Sequence, residues 1–178
     1  MNQVKVLDKT FQQSISHEKI MGTIARMAAD LDRDLMDKDP IFLAILNGSF
    51  LFAADLFKMI QMPCTISFIK IASYQGNSST GKINELIGLS EELEGRTVVI
   101  LEDIIDTGLT MRHLLFQLSE KKPAKVIIAT LLFKPDAFKA DFPIDYIGIS
   151  IPNDFIVGYG LDYNGYGRNL KDIYTLIP

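Results

Sequence analysis

Three carboxylates and two hydroxyls crowd into the stretch Glu102-Asp103-Ile104-Ile105-Asp106-Thr107-Gly108-Leu109-Thr110. In a binding site a carboxylate can hold a divalent cation, accept hydrogen bonds from sugar hydroxyls, or take a proton. The segment Thr107-Gly108-Leu109-Thr110 calls for different chemistry. It contains glycine, carries hydroxyls and leads into helical apolar spacing, so its free backbone N–H groups form an anion site suited to phosphate. Gly108 is expected to let the backbone approach that phosphate closely. Carboxylates beside a phosphate repel it unless a cation or sugar hydroxyls lie between them. A ligand carrying a ribose, phosphates and Mg2+ satisfies all these features together. A plain capped turn accounts for Asp106, Thr107 and Gly108, but it leaves Glu102 and Asp103 unexplained.

Such residues need a frame to hold them. Upstream, Val98-Val99-Ile100-Leu101 is apolar and β-branched with no polar alternation, which predicts a strand buried on both faces. Downstream, Met111, Leu114, Leu115 and Leu118 recur at helical spacing. The same strand–small-residue–helix pattern occurs at Ile41–Leu46, Asn47-Gly48-Ser49 and Phe50–Ile60. Further strands are predicted at Thr65–Ile71, Lys125–Phe133, Asp145–Ile149 and Ile173–Ile177. Ser16 is a predicted N-cap, followed by Ile20, Ile24, Met27, Ala28 and Leu31 at helical spacing. Asp30 to Asp39 is expected to be a solvated helix end and loop. The alternation predicts an α/β fold, a mainly parallel sheet flanked by helices, in a single domain over residues 1–178.

Composition narrows the function classes. The 178 residues are 48% hydrophobic and 22% charged, with net charge −4, so a broad nucleic-acid footprint is not expected. Cys64 is the sole cysteine, which excludes an intrachain disulfide. It follows Pro63 at the start of an apolar run and is expected to be buried. No Cys/His cluster has zinc spacing, no stretch approaches transmembrane length, and residues 1–10 lack a signal-peptide core. A cytoplasmic, membrane-free protein is the expectation. Gly76 to Lys82 matches G-x-x-x-x-G-K, the start of a P-loop, but Ile83 stands where a Ser or Thr should reach Mg2+. A nucleoside-triphosphatase is therefore not expected. The segment is instead predicted to be a loop of polar and small residues. His17 and His113 have no visible catalytic partner.

The stretch Val98 to Met111 resembles the phosphoribosyl-pyrophosphate (PRPP) signature of type I phosphoribosyltransferases. Its form Glu-Asp-Ile-Ile-Asp-Thr-Gly is similar to that of hypoxanthine-guanine phosphoribosyltransferases in particular, and ordered motifs extend the resemblance from Leu46 to Arg168. The resemblance implies a purine salvage enzyme that moves a phosphoribosyl group from PRPP to hypoxanthine or guanine with Mg2+ as cofactor. It implies that Asp106 is a general base and that Thr107, Gly108, Leu109 and Thr110 bind the 5′-phosphate. Glu102 and Asp103 would hold ribose hydroxyls or metal-bound waters. Lys134, Phe155 and Ile156 would contact the purine. Asn47, Gly48 and Arg168 would bind pyrophosphate, and Asp162 a metal ion. Ser73 and Tyr74 would sit on a flexible loop that closes over the site, with a small hood formed from the C-terminal segment. Asn47 and Leu109 stand where family members commonly carry lysine.

Two alternatives stay open at this level. One is a binding module that senses PRPP or a nucleotide. The other is a xanthine-preferring relative, because discrimination at the purine 2-position can rest on backbone carbonyls. A homo-oligomer, dimer or tetramer, is also expected from the apolar helix Phe50–Ile60.

Overall fold

The structure, a computed structural model, describes residues 2–72, 84–87 and 91–177. In chain order its elements are β1 (Gln3–Val6), β2 (Lys9–Ile15), α1 (His17–Leu35), β3 (Ile41–Leu46), α2 (Phe50–Met59), β4 (Thr65–Ala72), β5 (Asn84–Ile87), β6 (Thr97–Ile105), α3 (Leu109–Glu120), β7 (Lys125–Phe133), β8 (Tyr146–Ser150), β9 (Ile156–Val157) and β10 (Ile173–Leu176). The larger sheet runs β5-β4-β3-β6-β7-β8. Strands β4, β3, β6, β7 and β8 are mutually parallel, and β5 is antiparallel to β4.

The central strands are buried on both faces, as their unbroken apolar runs predict. Along β3, Phe42 and Ala44 enter one core while Ile41, Leu43 and Ile45 enter the other. Along β6, Val99 and Leu101 divide from Val98 and Ile100 in the same way. The first core is closed by α1 and α2, and the second by Met111, Leu114 and Leu118 of α3. Each fully buried Leu, Ile or Phe contributes about 1.5–3 kcal/mol of transfer free energy. Helix α1 starts where predicted: Ser16 Oγ accepts from Lys19 N at 3.3 Å. It then buries Ile20, Ile24, Met27, Ala28, Leu31 and Leu35. Past Leu35 the chain turns polar, and Pro40 ends any helical option.

A second, four-stranded antiparallel sheet, β1-β2-β10-β9, forms the hood. It draws on both ends of the chain, because the β1–β2 hairpin supplies two of its strands alongside the expected C-terminal segment. Its own small core holds Val6, Phe11, Val157 and Tyr174. Cys64, expected to be buried, is half-buried and packs at the edge of the first core. The segment on its N-terminal side is tied to α1, where Asp32 accepts from Gln61 N and Met62 N, each at 3.0 Å.

Candidate active site

Strand β6 presents its acids alternately. Leu101, Asp103 and Ile105 are buried, whereas Glu102 and Ile104, and Asp106 just past the strand's end, keep some exposure. The partial exposure of Glu102 does not extend to its carboxyl group, whose Oε2 is buried and has no hydrogen-bond partner among the described residues. Burial, then the Asp103 charge and hydrogen bond, push Glu102 well above the ordinary glutamate range. Burial also raises Asp103, against the pull of its hydrogen bonds and of the Arg168 charge. Two adjacent buried carboxyls resist ionising together.

Asp103 lies directly against the turn after β3. A Cβ on Gly48 would fall 1.7 Å from Asp103 Oδ2, so only glycine fits there. Gly48 lines the cleft, whereas Asn47 is exposed and off its lining. The peptide between Leu46 and Asn47 is cis.

The expected phosphate loop is the N-terminus of α3. Gly108 is its N-cap at φ 83°, and the first helical turn carries no acid. A cavity of about 110 Å3 lies against Glu102 and residues 104–111. Thr107, Leu109 and Thr110 are exposed. A Cβ added to Gly108 would come within 2.8 Å of both Phe138 Cε2 and Ala140 Cβ, on the loop after β7. Packing and a left-handed backbone both call for glycine at 108, which also lines the cavity.

A second cavity, of about 370 Å3, adjoins the first and shares Ile104 and Asp106 with it. Around it the fold assembles Gly48, Asp103, Asp106, Lys134, Phe155, Ile156, Leu161, Asp162 and Arg168. Lys134 follows the end of β7 and is 8% exposed, with Nζ 3.3 Å from Asp106 Oδ2. Arg168 pairs with Asp162 at 2.5 Å and donates to Gly160 O at 2.6 Å. Asp162 also accepts from Gly165 N at 2.6 Å. Phe155 is held at its edges by Phe11 and Tyr163, with ring centroids 6.1 and 5.8 Å away, and stays half-exposed at the cleft. Ser73, Tyr74 and the P-loop-like segment lie outside the described residues.

The structure adds residues that the sequence did not single out. Ile104 and Leu161 line the cleft. Tyr159 is 2% exposed, and its hydroxyl donates to Asp55 Oδ2 at 2.6 Å. His17 packs on the Tyr159 ring at 6.3 Å. The Gly158-Tyr159-Gly160 spacing was the available signal, since paired glycines around an aromatic mark a tight turn with a buried anchor.

The model of the phosphoribosyl transferase domain matches residues 12–164. The hypoxanthine-guanine phosphoribosyltransferase of Streptococcus pneumoniae is 40% identical over 163 residues, covering 91% of each chain. That of Mycobacterium avium is 38% identical over 171 residues, covering 92% of this chain and 84% of its own. The chain belongs to the hypoxanthine-guanine phosphoribosyltransferase family. Solved structures agree with this membership. A hypoxanthine-guanine phosphoribosyltransferase from Bacillus anthracis superposes with TM-score 0.88 at 37% identity, over 93% of this chain and 98% of that one. A hypoxanthine phosphoribosyltransferase from Staphylococcus aureus gives TM-score 0.88 at 38% identity, over 94% and 91%. The family's type I fold is the five-stranded parallel sheet with flanking helices described above.

Proposed function

We propose that this enzyme transfers the 5-phosphoribosyl group of PRPP to a 6-oxopurine, hypoxanthine or guanine, forming the nucleoside monophosphate and releasing pyrophosphate. The observation that carries this is the set of groups around two adjoining cavities. Lys134, Asp106, Phe155, Ile156, Gly48 and Arg168 line one, and Asp106 also lines the other, at the α3 N-terminus.

The purine ring stacks on Phe155, with its edge along the Ile156 backbone. An ammonium only donates hydrogen bonds, so Lys134 selects the acceptor oxygen at the purine 6-position. Arrival of the purine draws Lys134 away from Asp106, whose carboxylate then accepts the proton of the attacking ring nitrogen. That nitrogen bonds to the ribose C1 as the C1–pyrophosphate bond breaks. Residues 107–110 fix the 5′-phosphate through free helix-start N–H groups. Arg168, with the Asn47–Gly48 turn, meets the charge gathering on the leaving group.

Mg2+ fits the donor set. Among the described residues no three His, Cys, Asp or Glu side chains gather into a cage. Magnesium characteristically uses one or two carboxylates plus substrate oxygens and water. The orphaned Glu102 Oε2, Asp103 and Asp162 are the groups that would serve it. When bound it would supply charge neutralisation at the pyrophosphate oxygens.

The same proposal includes a single domain, a cytoplasmic location and assembly into a dimer or tetramer. Support for assembly comes from Phe50 on α2 and Phe68 on β4, which are 38% and 39% exposed. No described helix is long and apolar enough to cross a membrane. Steady-state kinetics with hypoxanthine, guanine, xanthine and adenine, read by pyrophosphate release, test the activity. Turnover of hypoxanthine and guanine with negligible adenine is expected. Absence of pyrophosphate release with every purine overturns the proposal.

A further inference from the structure

We propose that Tyr159 and Asp55 are a positioning pair that sets the gap between the Asn47–Gly48 turn and the Asp162/Arg168 arm, the two sides of the pyrophosphate half of the site. This deepens the function proposed above and rests on it.

Three backbones and side chains are stacked there without slack. Gly48 rests on the Asp103 carboxylate, and a Cβ on Gly160 would fall 2.0 Å from Gly48 O. Any shift of the 158–160 turn is therefore delivered to Gly48 and then to Asp103. The turn has an unusual conformation, with Gly158, Tyr159 and Gly160 all at positive φ: 103°, 47° and 97°. A non-glycine residue at positive φ is uncommon and persists only where surrounding structure enforces it. For Tyr159 the enforcing contacts are visible. Its N–H donates to Leu170 O at 2.7 Å, and its buried hydroxyl reaches Asp55 at 2.6 Å.

Asp55 lies on α2, the helix that begins two residues after Gly48. The pair thus ties the hood turn to the rigid element that carries the opposing turn, which places Gly160 on Gly48 at a fixed height. Lys58 Nζ lies 2.6 Å from Asp55 Oδ1, leaving Oδ2 to Tyr159. Arg168 hangs from the same turn. It accepts the N–H of Gly160 at its carbonyl, at 3.0 Å, and its guanidinium donates back to Gly160 O. Among the described residues Lys134 bonds to Asp106 and Phe155 O accepts from Leu176 N, and neither bonds to Tyr159, Asp55 or Arg168, so loosening the pair should act mainly on the pyrophosphate side.

The test measures KM for PRPP, KM for hypoxanthine and inhibition by inorganic pyrophosphate in Tyr159→Phe, Asp55→Ala, Asp55→Asn and Arg168→Gln, with thermal unfolding alongside. Tyr159→Phe keeps the ring and removes the tether. It is expected to raise KM for PRPP and the pyrophosphate inhibition constant about tenfold, a change typical of one lost buried hydrogen bond to a charged group. KM for hypoxanthine should move less than twofold. Asp55→Ala should do the same, and the double variant Tyr159→Phe/Asp55→Ala should be no worse than either single change. Asp55→Asn retains an acceptor oxygen and should recover most of the loss. Equal changes in both KM values, or lowered stability with unchanged pyrophosphate inhibition, overturn the positioning role. If Tyr159→Phe is too unstable to assay, Asp55→Ala against Asp55→Asn decides by the same criteria. Arg168→Gln separates the two proposals. If it leaves pyrophosphate inhibition unaltered, the pyrophosphate assignment itself fails. If it weakens inhibition while Tyr159→Phe does not, only the positioning pair fails.

Discussion

Lys134 and Asp106 hold one another across 3.3 Å, so each side chain is committed before a purine enters. That contact separates two functions by substitution. Asp106→Asn keeps the shape and a partner for Lys134 but removes the basic oxygen. It should lower kcat by roughly 10²–10⁴-fold, the usual span for general acid–base catalysis, with far less effect on PRPP affinity. Single-turnover kinetics beside PRPP titration check this, and an unchanged kcat assigns the proton to another group. Lys134→Gln introduces a carbonyl that accepts from an exocyclic amino group as well as an amide that donates. Hypoxanthine turnover should fall sharply, and the hypoxanthine-to-adenine ratio of kcat/KM, expected at about 10⁴–10⁵ in the native enzyme, should fall with it. Competitive assays with both bases measure the ratio, and an unchanged ratio in the variant removes Lys134 from recognition.

At the scale of elements, legibility followed the strength of the local pattern. Strands β3, β6 and β7 were readable because burial on both faces leaves an unbroken apolar run, and α1 because Ser16 and six inward residues obey one period. The β1–β2 hairpin was not readable. Its two-residue connection is Leu7-Asp8, with Leu7 at φ 55°, where Gly or Asn normally signals the turn. In the site, Glu102 to Thr110 declared itself by contiguous chemistry. The Tyr159–Asp55 contact spans 104 residues, and the glycines flanking Tyr159 mark its turn but not its partner. Another such long-range tie joins α1 to the sheet: Tyr146 OH on β8 donates to Asp34 Oδ2 at 2.8 Å. Burial, then that bond and the Asp34 charge, push the Tyr146 phenol up to about 12. The folded state therefore retains a proton that the unfolded chain loses near pH 10. Its contribution to stability is whole below pH 10 and falls as pH rises toward 12. Tyr146→Phe should flatten that part of a urea-denaturation profile, and an unchanged slope would show that the bond carries no such linkage.

Over the whole molecule the cavity around Asp106 and Arg168 lies between the carboxyl ends of parallel strands and the hood, the customary ligand position in open α/β sheets, and the α3 cavity adjoins it. A ligand seated there binds both bodies and only in the folded chain. PRPP at about a hundred times its Kd should stabilise the fold by about 2.7 kcal/mol, roughly 5–10 °C in Tm for a chain of this size. Calorimetry with Asp106→Asn should show the same shift, since under the proposed roles that variant loses the base and keeps the phosphate contacts. A variant with no shift would make Asp106 a ligand-holding group.

The pairing of β2 with β10 sets a kinetic condition on activity. Ile15 must find Ile173, and Phe11 must find Leu176, across nearly the full length of the chain. The parallel sheet is assembled from nearer neighbours, while this closure bears the entropy of a very long loop. Refolding molecules should therefore regain sheet signals before they regain turnover. The hood should also be the first region to exchange its amide protons, opening at a lower free energy than β3 or β6. Each such opening unseats Phe155, Ile156, Asp162 and Arg168 while Asp106 stays on its strand. Such an opened form should keep Asp106 in place and lose the hood side of the cleft, which under the proposed roles makes it inactive.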